Sequence, residues 1–172
     1  KAKPEVKYMS GGMTLIPTMK QRLAKPSDVI DLGGASDLKG ISATGGAVTI
    51  GAMATHAAVA GSADVKKAIP ARAALAEGIG DPQVRNRGTI GGDIAHGDPG
   101  NDHPALSLVI EASFVLEGPK GRRTVAADGF FLGTYMTQLE ENEVMCEIRV
   151  PAFAHGTGYA YEKLKRKTGD WA

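Results

Sequence analysis

The sequence predicts an α+β protein: a small parallel α/β unit over residues 1–34, then a larger α+β unit with a mostly antiparallel sheet over residues 35–155. Three observations predict it. The opening runs strand, Gly-Gly, helix, strand; a middle stretch is rich in alanine at helical spacing; and the last third reads as short strands separated by turn residues. Residues 156–172 then open a third unit.

Glu5-Val6-Lys7-Tyr8-Met9 alternates as a short strand and runs into Ser10-Gly11-Gly12-Met13-Thr14. A helix follows, with Leu15, Ile16, Met19 and Leu23 on one face and Pro17 in its first turn, where a missing N–H costs little. Asp28-Val29-Ile30-Asp31-Leu32 is the second strand, and a crossover of this kind favours parallel pairing. Ala47-Val48-Thr49-Ile50-Gly51-Ala52 is again strand-like, and residues 56–60 and 65–77 are helical, the second interrupted by Pro70. Residues 78–104 hold so many Gly, Pro, Asp and Asn that they read as one long functional loop. Asp102 and Pro104 then start a helix to about Ala112, with Asp102 as its N-cap. The remainder is β-rich: residues 113–117, a Gly118-Pro119-Lys120-Gly121 turn, residues 123–126, a short helix at Phe130-Phe131, residues 143–150 and residues 158–165.

Composition excludes several classes. Of 172 residues, 42% are hydrophobic and 23% charged, with a net charge of +1. That balance is unlike a disordered chain and argues against a dedicated nucleic-acid binder. No apolar run reaches the roughly 18 residues a membrane span needs, and the first residues lack a signal-peptide core. The expected location is therefore cytoplasmic, or peripheral at the inner face of the membrane through a complex. Glycine is unusually frequent, 23 of 172, which implies many tight turns or close backbone approaches. Cys146 is the one cysteine. A single thiol cannot build an iron–sulfur cluster, a thiolate zinc site or an intrachain disulfide.

Two diglycines stand out, Gly11-Gly12 beside Ser10 and Thr14, and Gly91-Gly92 beside Thr89. Successive glycines let backbone N–H groups converge on an anion, and a following helix adds its dipole, so each pair is a candidate phosphate cradle. Neither fits the Walker or the Rossmann pattern. Tight turns alone are the simpler reading of either pair taken singly.

Three stretches taken together carry a resemblance: residues 10–17, reading SGGMTLIP; residues 81–93, reading DPQVRNRGTIGGD; and residues 97–102, reading GDPGND. They resemble the FAD-binding medium subunit of the molybdenum hydroxylases, the xanthine dehydrogenase family, which has a two-subdomain FAD-binding fold of the PCMH type. Residues 159–172, YAYEKLKRKTGDWA, resemble the aerobic carbon monoxide dehydrogenase branch. The resemblance implies that Ser10, Gly11, Gly12, Met13, Thr14, Leu15 and Ile16 form one FAD diphosphate loop, and Thr89, Ile90, Gly91, Gly92 and Asp93 the other. It implies further cofactor contacts at Ile79, Met145, Asp102 and Lys163, with Trp171 against the isoalloxazine ring. It also implies FAD in this chain, with the molybdenum cofactor on a large partner subunit and 2Fe–2S clusters on a small one, in a dimer of heterotrimers. Electrons would pass from those clusters through FAD to a terminal acceptor, and no residue here would be catalytic in substrate hydroxylation. Met13-Thr14 departs from the family's more usual Gln or His followed by Ser, and Trp171 stands where Tyr is common. The chain is expected to be a fragment without the C-terminal domain.

Other readings stay open. A xanthine, aldehyde or aromatic hydroxylase would use the same medium subunit, and a non-redox module for a phosphate-bearing ligand or a free-standing flavin reductase would use the same loops. His96, Asp98, Asp102 and His103 form a possible metal set for a hydrolase, although the glycines among them suit a ligand cradle better. Strand alternation would put Tyr159, Tyr161, Lys163 and Lys165 on one side, leaving Arg166 and Lys167 in water. Arg85 and Arg87 either order their loop or face a partner, and Cys146 is a small buried hydrophobe.

Overall fold

In a computed structural model, residues 5–165 are described. Trp171, Arg166 and Lys167 lie outside them.

The first unit has the predicted form. Strand β1 (Val6–Met9) pairs in parallel with β2 (Asp28–Asp31), and helix α1 (Leu15–Lys20) crosses between them. Helix α1 is shorter than its apolar spacing suggests. It stops at Gln21, Arg22 turns with φ 61°, and Leu23 ends 75% exposed instead of extending the helical face. Two 3-10 turns, Leu32–Gly34 and Ser36–Leu38, lead to the second unit.

That unit is built on a five-stranded antiparallel sheet of β3 (Ile41–Thr44), β4 (Ala47–Gly51), β5 (Ser113–Gly118), β6 (Gly121–Ala126) and β9 (Val144–Pro151), in the order β3-β4-β9-β5-β6. Strand β3 was not expected from the sequence, although Gly45-Gly46, both at positive φ, is a hairpin signal. The alternation Val48/Ile50, Phe114/Leu116 and Ile148/Val150 puts fully buried side chains on one face. Charged pairs such as Arg122–Glu117 and Arg149–Glu147 remain outside it.

The buried face is covered by α2 (His56–Gly61), α3 (Ala63–Ala68), α4 (Pro70–Glu77) and α7 (Asp102–Val109), their small alanines allowing close packing. Pro70 divides the predicted 65–77 helix, because residue 69 before a proline is pushed out of the helical region. Helix α8 (Ala127–Phe130) and a small hairpin, β7 (Phe131–Gly133) with β8 (Met136–Thr137), close the sheet's end. There Phe114, Phe130 and Phe131 meet edge to face, with centroids 4.7–6.0 Å apart.

Three expectations are corrected. Residues 78–104 are not one loop: they contain α5 (Pro82–Arg87) and α6 (Ile90–His96). Asp81 and Thr89 cap them by accepting from the amides of Val84 and Gly92, and Gly97 ends α6 at φ 65°. Residues 158–165 form no strand: they pair with none of the described strands. Asp102 is also the first residue inside α7; Asn101 holds the cap position and makes no side-chain cap bond.

Candidate cofactor-binding cleft

Between the parallel unit and the larger one lies a cleft of about 1040 Å³. Its walls gather Ser10, Gly11, Gly12, Met13, Thr14 and Leu15 from the first diglycine with Thr89, Gly91, Gly92 and Asp93 from the second. Ile79, Asp102, Met145 and Lys163 complete it. Ile16 and Ile90 do not line it. Ile90 is fully buried in the core, and Ile16 packs where a Gly12 Cβ would stand.

The two loops touch. A Cβ built on Gly92 would sit 2.8 Å from Thr89 Oγ1 and 3.3 Å from Ser10 Cβ, while one on Gly11 would run into the Arg87 carbonyl. Thus each loop comes close to the other unit only because a side chain is missing. Gly12 also needs its glycine for φ 74°.

Hydrogen bonding separates the two pairs chemically. In the second, the Ile90 amide donates to Ala54 O (3.0 Å), Gly91 to Ala52 O (2.9 Å) and Asp93 to Thr89 O (3.0 Å), and Gly92 donates to Thr89 Oγ1 at 3.2 Å. In the first, the amides of Gly11, Gly12, Met13 and Thr14 donate to no acceptor among the described residues. Four unpartnered donors in succession along a cleft wall are an anion site. The second pair contributes closeness of approach instead of bare amides.

Asp93 is the site's buried acid. Its Oδ1 is buried and has no hydrogen-bond partner, and burial, reinforced by the Asp102 and Asp98 charges, pushes its pKa up to about 8. Arg72 and Lys163 oppose that shift without cancelling it. The sign for stability follows. Between the ordinary 3.8 and about 8 the folded chain keeps a proton that the unfolded chain has lost, so stability falls as pH rises through that window. We therefore expect flavin-free Asp93→Asn to lose most of this slope, and urea midpoints at pH 5 and pH 8 to lie closer together than in the parent. Equal slopes in both proteins would contradict the buried acid.

Asp102 anchors the chain that follows the sheet. Its Oδ1 accepts from Tyr161 Oη and from Lys163 Nζ, both at 2.8 Å, and Lys163 Nζ also reaches Gly100 O at 3.1 Å. These contacts, not strand pairing, hold residues 161–163 against the cleft. Asp102→Ala is expected to speed tryptic cleavage after Lys163 by about five- to tenfold, as a partly buried ion pair worth about 1 kcal/mol would predict; an unchanged cleavage rate would show the anchor lies elsewhere.

The supposed metal set does not converge. His103 is fully buried, with both ring nitrogens engaged by His56 and Arg72. Among the described residues no group of three His, Cys, Asp or Glu side chains is placed to hold a metal ion. Arg85 orders its own turn by donating to Ile79 O and Gly80 O, and Cys146 is buried as expected. Among cleft residues that the sequence did not single out are His56, Tyr135 and Leu139, while His96, read from the sequence only as a possible metal ligand, lines the cleft as well. His56 sits in an alanine-rich helix with no local signal to mark it.

A protein-family model described as the FAD binding domain in molybdopterin dehydrogenase matches residues 1–153. The chain belongs to that family. This FAD-binding domain is 64% identical over 168 residues to the carbon monoxide dehydrogenase medium chain of Hydrogenophaga pseudoflava, covering 98% of the chain and 58% of the relative. It is 47% identical to the medium chain from Afipia carboxidovorans, again covering 98% and 58%. A solved carbon monoxide dehydrogenase from Hydrogenophaga pseudoflava, a form lacking the Mo-pyranopterin moiety of its molybdenum cofactor, superposes with a TM-score of 0.95 at 65% identity, over 97% of this chain and 58% of that one. The chain thus spans 58% of the length of the relatives it matches. The cleft fits the family's cofactor on its own evidence: a row of free amides suits a diphosphate, a missing Cβ at Gly92 leaves room for it, and the volume is that of a large ligand site.

Proposed function

We propose that this FAD-binding domain carries electrons within a molybdenum hydroxylase of the carbon monoxide dehydrogenase type. The observation that carries the reading is the row of unpartnered amides at Gly11, Gly12, Met13 and Thr14 on the wall of a cleft that Gly92 also lines. In this reading the diphosphate lies between residues 10–16 and residues 89–93. The Thr14 hydroxyl is a further donor there, and Met13 acts only through its backbone. Ile79 and Met145 pack against apolar parts of the cofactor, and Lys163 offsets its charge while tied to Asp102. The binding unit divides at about residue 34, with residues 35–155 forming the second subdomain and residues 156–172 opening the next.

When bound, FAD accepts electrons singly or in pairs and passes them on. The chain's own part is to hold it, exclude water and set its surroundings. With only Cys146 in the sequence, cluster ligands come from elsewhere. We assign 2Fe–2S clusters to a small partner subunit and the molybdenum site to a large one, in a cytoplasmic dimer of heterotrimers. Identity to two carbon monoxide dehydrogenase medium chains supports CO as the substrate oxidised by the complex. Among the described residues no helix is long and apolar enough to cross a membrane.

The test is a visible spectrum of the full-length subunit with its partners, followed by release and mass identification of the chromophore. FAD whose absorbance bleaches on adding CO, and not on adding xanthine or aldehydes, is the expected result. FMN or a colourless complex would overturn the diphosphate reading, and FAD unresponsive to CO would overturn the substrate.

A further inference from the structure

Behind the cleft runs a line of buried polar side chains that nothing above uses. Arg72 on α4 is fully buried and forms no ion pair with any carboxylate among the described residues. One guanidinium nitrogen donates to Ser107 Oγ (3.1 Å) and another lies 3.1 Å from His103 Nδ1. His103 Nε2 in turn lies 3.2 Å from His56 Nδ1, with the two rings stacked at 5.2 Å.

The protons on this line are not free to choose. A guanidinium has donors and no acceptor, and it stays charged here even though burial lowers its pKa to about 10. His103 Nδ1 must therefore accept, which places the His103 proton on Nε2. That N–H donates to His56 Nδ1, which must also accept. The proton of His56 is then forced onto its own Nε2. This nitrogen has no partner among the described residues and is not among the sealed orphan atoms, so it opens on the cleft that His56 lines. Burial holds both imidazoles neutral, His56 down to about 4 and His103 well below its ordinary value.

Its location gives the donor a target. The His56 amide donates to Gly88 O (3.0 Å), and the ring lies against Gly88: a Cβ there would be 2.8 Å from His56 Nε2. Gly11 rests on the backbone of Arg87 and Gly88 from the other side. His56 therefore stands where the two glycine loops meet.

We propose that Arg72 and His103 are positioning residues that lock His56 as a neutral N–H donor to an oxygen of the bound cofactor's diphosphate. The proposal rests on the reading that FAD occupies this cleft. It adds to the backbone amides a side-chain donor whose direction is set from two residues deeper in the core.

The experiment uses the full-length subunit. In flavin-free protein labelled with nitrogen-15 histidine, NMR should show the His56 proton on Nε2, and Arg72→Met should release this preference. With FAD added back, His56→Leu should raise the dissociation constant by about tenfold and shift the phosphorus-31 resonances of the bound diphosphate. His56→Gln, which can put an amide N–H near the same place, should recover affinity to within about threefold. A His56 proton on Nδ1 in the parent protein would overturn the lock, and needs no variant to fold. FAD bound equally well by folded His56→Leu, with unshifted phosphorus resonances, would overturn the donor alone. Failure of the parent subunit to bind FAD would overturn this proposal together with the reading beneath it.

Discussion

Gly92→Val should give a folded subunit that no longer retains FAD, with a dissociation constant at least about a hundredfold higher. The backbone at Gly92 is ordinary helix, so valine meets no φ barrier there. What it meets is space: its Cβ would stand 2.8 Å from Thr89 Oγ1 and 3.3 Å from Ser10 Cβ, in the gap between the two loops. A hydroxyl can rotate away, but the valine methyls then fill the volume assigned to the diphosphate. A hundredfold loss corresponds to about 2.7 kcal/mol, less than the interactions an anion makes with several amides at once. Titrating flavin-free subunit with FAD by fluorescence quenching measures it. Unchanged affinity in a folded Gly92→Val subunit would refute the placement of the diphosphate between the loops.

The neighbouring glycine should behave in the opposite way. Gly91→Ala is expected to destabilise the fold by about 3 kcal/mol, lowering the melting temperature by about 10 °C, while FAD binding at low temperature survives in the folded fraction. A Cβ at Gly91 would collide with the Ala52 side chain and lie 2.6 Å from Ala52 O and 2.8 Å from Ala52 Cα. Backbone cannot swing aside as a hydroxyl can. Ala52 is held on its far side by its own amide donating to Cys146 O in β9, and Gly91 is tied to Ala52 O by its amide. A melting temperature within about 2 °C of the parent would show that α6 slides freely on the sheet. The pair of substitutions separates two uses of glycine in one dipeptide: close packing of helix on strand at Gly91, and room for a ligand at Gly92.

Much of this was legible locally. The β1-Gly-Gly-α1-β2 crossover followed from alternation, Pro17 and the glycines, all of which act within a few residues. The sheet strands β4, β5 and β9 followed from their buried alternation. Residues 81–97 misled because cap residues and loop residues are the same types: Asp81-Pro82 and Thr89 read as loop chemistry, yet each begins a helix of only six or seven residues. Residues 158–165 misled for the converse reason. Alternation was present, but side-chain contacts to Asp102 and Gly100, not a strand ladder, hold residues 161–163.

What the sequence by itself determined is the local inventory: where the chain turns, which helices are capped, which strand faces are apolar and where the backbone is bare. The tertiary structure decided which of those features face each other. Two identical-looking glycine pairs diverge because Ala52 and Ala54, distant in sequence, supply acceptors to one set of amides and none of the described residues supplies them to the other. His103, which sequence placed among loop residues, turns into the core because Arg72 and His56 arrive there from other helices. Hydrogen-bond satisfaction is a property of neighbours in space, and neighbours in space exist only once the sheet and its helices have packed.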